Sequence, residues 1–75
     1  MEKLLEILSG IRPDVDFAKE TQLIDGQILD SFDIISIVNE LNEAYDIEID
    51  VDDLEPVNFN SAQAMMELIE RLENE

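Results

Sequence analysis

The chain has 75 residues, with 20 Asp and Glu against 4 Lys and Arg, and a formal net charge of -16. So short a chain buries a thin core, which argues against an enzyme with a deep, water-excluding site. The absence of cysteine and histidine excludes disulfides, thiolate metal sites and the commonest general base, and the acidic balance excludes nucleic acid as a partner.

The first segment places Leu4, Leu5, Ile7, Leu8 and Ile11 at helical spacing. Pro13 disfavours helix at the residue before it, so this helix is expected to end near Ile11, with Gly10 loosening the end. Residues 12–30 show no sustained period, although Phe17, Leu23, Ile24, Ile28 and Leu29 are apolar. Asp25-Gly26 marks a turn. A loop of this length in a small domain tends to be functional, and its apolar residues are expected to pack across the helices.

Asp30 suits the cap of a second helix, since its side chain accepts from a first-turn amide and its charge matches the positive dipole end. Phe32, Ile35, Val38, Leu41 and Tyr45, with Ile34 and Ile37, then recur at spacings of three and four up to Tyr45. The apolar arc is wider than one packed face needs, so Ile34 or Ile37 is expected to be partly exposed. Residues 46–53 alternate polar and apolar, as a strand does, but have no second strand to pair with and read as extended loop. Pro56 suits the first position of a short helical turn. Asn60, with Gln63 three residues on, has the pattern of a capping box. It precedes a last helix carrying Ala62, Met65, Met66, Ile69 and Leu72, to about Glu73. The expectation is an all-α fold: three main helices and a short fourth, in a small bundle spanning residues 1–75 as one domain.

Several patterns could carry chemistry. Ser31 opens the second helix, where a serine ordinarily serves capping. The same place exposes a hydroxyl to a large partner, and a helix N-terminus tolerates a phosphate there. Asp30 and Asp33 flank it, and read as a cap and a solvated charge rather than a catalytic pair. The acidic run fails a calcium test. An EF-hand loop beginning at Asp46 has Glu48 and Asp50 in ligand places, but Val51 where the turn glycine belongs and Val57 where the bidentate glutamate belongs. Glu40, Glu43 and Glu48 are expected to face solvent, available as an acidic docking face for a basic partner. Met65 and Met66 read as core filler.

At Ile28-Leu29-Asp30-Ser31-Phe32 the sequence resembles the acyl carrier protein family, which includes peptidyl and D-alanyl carriers. The likeness extends through Tyr45-Asp46-Ile47-Glu48-Ile49 to Phe59-Asn60-Ser61, nearly the whole chain. It implies a non-enzymatic carrier with a 4′-phosphopantetheine arm, derived from coenzyme A, on Ser31. It also implies a phosphopantetheinyl transferase as partner, and an adenylating ligase, acyltransferase or synthase to load and use the arm. The partner-facing residues it implies are Asp30, Phe32, Ile35 and Asn39. Fatty-acid-type carriers have glycine and leucine where this chain has Leu29 and Phe32, so the motif looks more like D-alanyl and stand-alone aminoacyl carriers. With no signal segment and no membrane-length apolar run, a cytoplasmic monomer is expected, without membrane insertion. A non-catalytic acidic adaptor that binds a basic protein is the alternative.

Overall fold

The computed structural model describes residues 1–74. Among these the chain forms four α-helices and a 3₁₀ turn, with no strand: α1 is Glu2–Ile11, α2 Ser31–Tyr45, η1 Val51–Asp53, α3 Pro56–Phe59 and α4 Ala62–Glu73. The all-α bundle expected from periodicity is the fold observed. α1 lies against α2 and α4, α2 also meets α4, and the short α3 packs on α4.

The boundaries follow from local chemistry. α1 runs through Gly10 and stops at Ile11, where Arg12 turns out of helical geometry before Pro13 (φ -134°, ψ 84°). α2 starts on a reciprocal cap. The Asp33 amide donates to Asp30 Oδ1 at 2.9 Å, and the Asp30 amide donates to Asp33 Oδ2 at 3.2 Å. The helix closes on Asp46 in left-handed geometry (φ 53°, ψ 50°). No basic residue lies in its last turn. Lys3 of α1 supplies that charge from outside, donating to the Ala44 carbonyl at 2.8 Å with its ammonium 4.6 Å from the Tyr45 ring centre.

The core joins Leu4 and Leu8 of α1, Ile37 and Leu41 of α2, Phe59 of α3, and Met65, Leu68 and Ile69 of α4. The long connection adds Phe17, Leu23 and Leu29, all buried, so it packs across the helices as its composition implied. Its turn needs Gly26. A Cβ there would lie 2.6 Å from the Gln22 carbonyl oxygen, which already accepts from the Gly26 amide at 2.7 Å.

One expectation is corrected, and another is resolved in favour of one of its two residues. Asn60 is not the cap of α4. Ser61 is, its hydroxyl accepting from the Ala64 amide at 3.0 Å, while Gln63 turns to Glu67. On α2, Ile34 is partly exposed but Ile37 is fully buried, and the surplus of the apolar arc is carried by Phe32 (81% exposed) and Ile35 (58%). The alternating run 46–53, expected to be extended loop throughout, is so only over 47–50: Asp46 closes α2 and Val51–Asp53 wind into η1 on the Asp50 cap. In place of a partner strand, Asn42 Oδ1 accepts from the Ile49 amide at 2.9 Å, turning Ile49 into the core.

Candidate functional site at the start of α2

Ser31 is the first residue of α2 and is exposed. An α-helix begins with amides that have no intrahelical acceptor. The cap takes the Asp33 amide, and the Ile34 amide donates to the Asp30 carbonyl at 3.1 Å. The Ser31 and Phe32 amides keep no intramolecular acceptor among the described residues. Free amides and the positive dipole end at the turn that carries Ser31 favour an anion bonded to its hydroxyl.

Beside Ser31 runs a groove of about 560 Å³, walled by Ile24 and Leu29 of the long connection, Ile34 and Ile35 of α2, and Leu54 after η1. A hollow of about 90 Å³ continues it over Ile24, Ile34 and Leu54 down to Phe59. The walls are mainly apolar, with Gln27, Asp30 and Ser31 as the polar residues of the groove and Glu55 that of the hollow. They suit a flexible chain with few charges rather than an ion.

The other residues singled out by the sequence fall as follows. Phe32, Ile35, Asn39 and Glu43 are exposed along one stripe of α2, spaced by three and four, with Glu40 on its flank. Asp30 is exposed and caps the helix. Asp33 is not the solvated charge expected of it. Its side chain is only 14% exposed and is paired with Arg12. The acidic run 46–53 lines an open hollow with Asn42, yet no three acidic groups among the described residues converge to hold a metal ion.

Two residues that sequence reasoning missed hold this end of the molecule. Arg12 Nη1 donates to the Ile28 carbonyl at 3.3 Å and to Asp33 Oδ2 at 2.5 Å, while Nε and Nη2 grip Asp14 at 3.0 and 2.9 Å. The hydrogen bond from Arg12 holds the Asp14 carboxyl below its usual range, and donating to Asp14 and Asp33 keeps Arg12 firmly charged. Asn60 is the second. Its Oδ1 accepts from the Ile24 and Asp25 amides, each at 3.0 Å, and its Nδ2 donates to Asp25 Oδ2 at 2.9 Å. The neighbouring Leu23 carbonyl accepts from the Ile28 and Leu29 amides, both at 3.0 Å, so the tie reaches the residues next to Ser31. The available signal was scarcity: with 4 cations against 20 acids, the position of each cation is informative.

The family model described as the phosphopantetheine attachment site matches residues 2–69, spanning α1 through most of α4. The chain belongs to this family of carrier proteins. Comparison with curated proteins and with solved structures gave no match. The carrier fold therefore serves covalent attachment of 4′-phosphopantetheine. The carrier surface at the start of α2 fits such a group: an exposed serine, two free amides in the same helical turn and a mainly apolar groove alongside. Carrier domains of this kind are not catalysts, in keeping with a chain that has no histidine or cysteine. Among the described residues, no helix is long and apolar enough to cross a membrane.

Proposed function

We propose that Ser31 takes the phosphopantetheine arm, and that residues 1–75 act as one carrier domain presenting acyl or aminoacyl thioesters to enzymes of the cytoplasm. The observation that carries this reading is the exposed Ser31 in the first turn of α2, with two free amides in that turn and a mainly apolar groove alongside. In the reaction, the Ser31 oxygen bonds to the pantetheine-bearing phosphorus of coenzyme A. The bond to the adenosine bisphosphate leaving group breaks, and the hydroxyl proton passes to a base on the transferase.

Phosphopantetheinyl transferase is thus one partner, and an adenylating ligase, acyltransferase or synthase the other. Docking runs along α2: Phe32 and Ile35 give an apolar contact next to Ser31, Asn39 extends it, and Asp30, Glu40 and Glu43 steer basic surfaces toward it. The cargo reading favours an aminoacyl or specialised acyl group. Its support is Leu29 and Phe32, where fatty-acid-type carriers have glycine and leucine. Leu29 is a core residue, 6% exposed, so glycine in its place would remove packing.

Incubation with coenzyme A and a broad-specificity transferase, read by intact mass, tests the assignment. One phosphopantetheine should be gained by the wild type and none by Ser31→Ala, which should melt as the wild type does because Ser31 is exposed. A gain retained in Ser31→Ala refutes it.

A further inference from the structure

Ser31 stands between two residues held by one side chain. Arg12 reaches Ile28 on one side of it and Asp33 on the other, and is itself braced by both oxygens of Asp14. Among the described residues, the ion pairs all belong to Arg12. A protein with a net charge of -16 has thus set one of its 4 cations at the joint leading into α2.

The electrostatics of that joint are divided. The dipole end of α2 and its free amides favour an anion on Ser31. Asp30 and Asp33, one and two residues away, oppose it. Asp33 is the more sheltered from solvent screening, being 14% exposed at its side chain, and it is the one that Arg12 pairs.

We propose that Arg12 is a positioning residue for loading: it fixes residues 28–33 around Ser31 and offsets the Asp33 charge, so that the first turn of α2 accommodates a phosphodiester on Ser31. This rests on the reading of Ser31 as the attachment residue.

The test is the change in melting temperature that loading produces, measured as loaded minus unloaded protein for the wild type, Arg12→Gln and Asp33→Asn. Measurements belong at low ionic strength, since charges about 10 Å apart are screened at about 0.1 M salt. Arg12→Gln leaves the Asp33 charge uncompensated, so its loading shift should be more unfavourable than that of the wild type. Asp33→Asn removes the opposing charge, keeps Arg12, and retains an oxygen that accepts from the Asp30 amide. Its shift should be more favourable. Each variant should change the effect of loading on the folding equilibrium by about two- to fivefold, the range of single partly exposed charge pairs. Opposite signs distinguish this role from a merely structural one, which lowers loaded and unloaded proteins together. Loading shifts equal to the wild type's, or of the same sign in both variants, overturn the proposal. If Arg12→Gln does not fold, Asp33→Asn decides alone: a shift no more favourable than the wild type's overturns it. A wild type that gains no mass refutes the attachment reading itself, whereas full mass gain with equal shifts refutes only the role of Arg12.

Discussion

Asn60 offers the sharpest test of how the long connection is held. Replacing it with alanine removes three hydrogen bonds, to the Ile24 amide, the Asp25 amide and the Asp25 carboxylate. The bond from the Leu23 amide to the Asn60 carbonyl, 2.9 Å, is backbone and survives. The Ile24 contact is part-buried and leaves a donor without a partner. At about 1 kcal/mol for that bond and about 0.5 kcal/mol for each of the two exposed ones, the loss is about 2 kcal/mol. For a domain of this size that is a fall in Tm of about 8–16 °C. Urea unfolding should show a lower midpoint with an unchanged slope, because the area exposed on unfolding is the same. Asn60→Asp discriminates further. It keeps the acceptor for the two amides but loses the donor and faces the Asp25 carboxylate, so it should be less stable than the wild type at neutral pH. An Asn60→Ala variant within about 0.5 kcal/mol of the wild type, or an Asn60→Asp variant as stable as the wild type at neutral pH, refutes the tie.

Removing the Lys3 ammonium in Lys3→Met strips the C-terminal charge of α2 and should cost about 0.5–1 kcal/mol by urea unfolding, with lower protection of the last-turn amides in hydrogen exchange. In acid, Arg12→Gln should close the gap to the wild type. The folded Asp14 carboxyl titrates below its ordinary value of 3.8, so its contribution is complete above that value and fades as the pH falls through the folded one. The difference in urea midpoint should therefore hold steady from about pH 7 to pH 5 and shrink below about pH 4. The Tyr45 phenol is pushed up by burial first and by Glu73 second. The contribution of the neutral ring is in place below its ordinary value of 10.0 and lost as the pH rises through the folded one, so Tyr45→Phe should flatten the alkaline limb of a Tm profile. Salt should raise Tm, because a net charge of -16 repels itself in the compact state; a Tm indifferent to salt contradicts this.

The helices were legible because their determinants are local. Pro13 stops α1, Asp30 caps α2, Pro56 opens α3, and the three- and four-residue spacing of apolar side chains supplies each buried face. The position of Ser31 at a helix start was legible for the same reason. The misread residues owe their roles to distant partners. Asn60 sits 36 residues from Ile24, so a residue with the local pattern of a cap serves a tertiary contact and leaves Ser61 to cap α4. Asp33 reads as a surface acid until Arg12, 21 residues earlier, is brought against it. Of Ile34 and Ile37 it is Ile34 that stays partly exposed, because the direction of the buried face of α2 is set by where α1 and α4 lie, which periodicity alone leaves free.

The connection between α1 and α2 contributes Phe17, Leu23 and Leu29 to the interior and is fastened at Arg12 and at Asn60. Its length is therefore set by the area it has to cover rather than by the gap it has to span. Surface connections commonly accept shortening, but a deletion within residues 17–29 removes part of the interior itself. An added segment has room at the outward bend of Ala18, Lys19, Thr21 and Gln22, where the residues are exposed and precede the turn at Gly26. For anyone wishing to graft a label or a tether onto this protein, that bend is the tolerant stretch of the connection, while residues 23–33 form a wall whose thickness cannot be altered without moving Ser31.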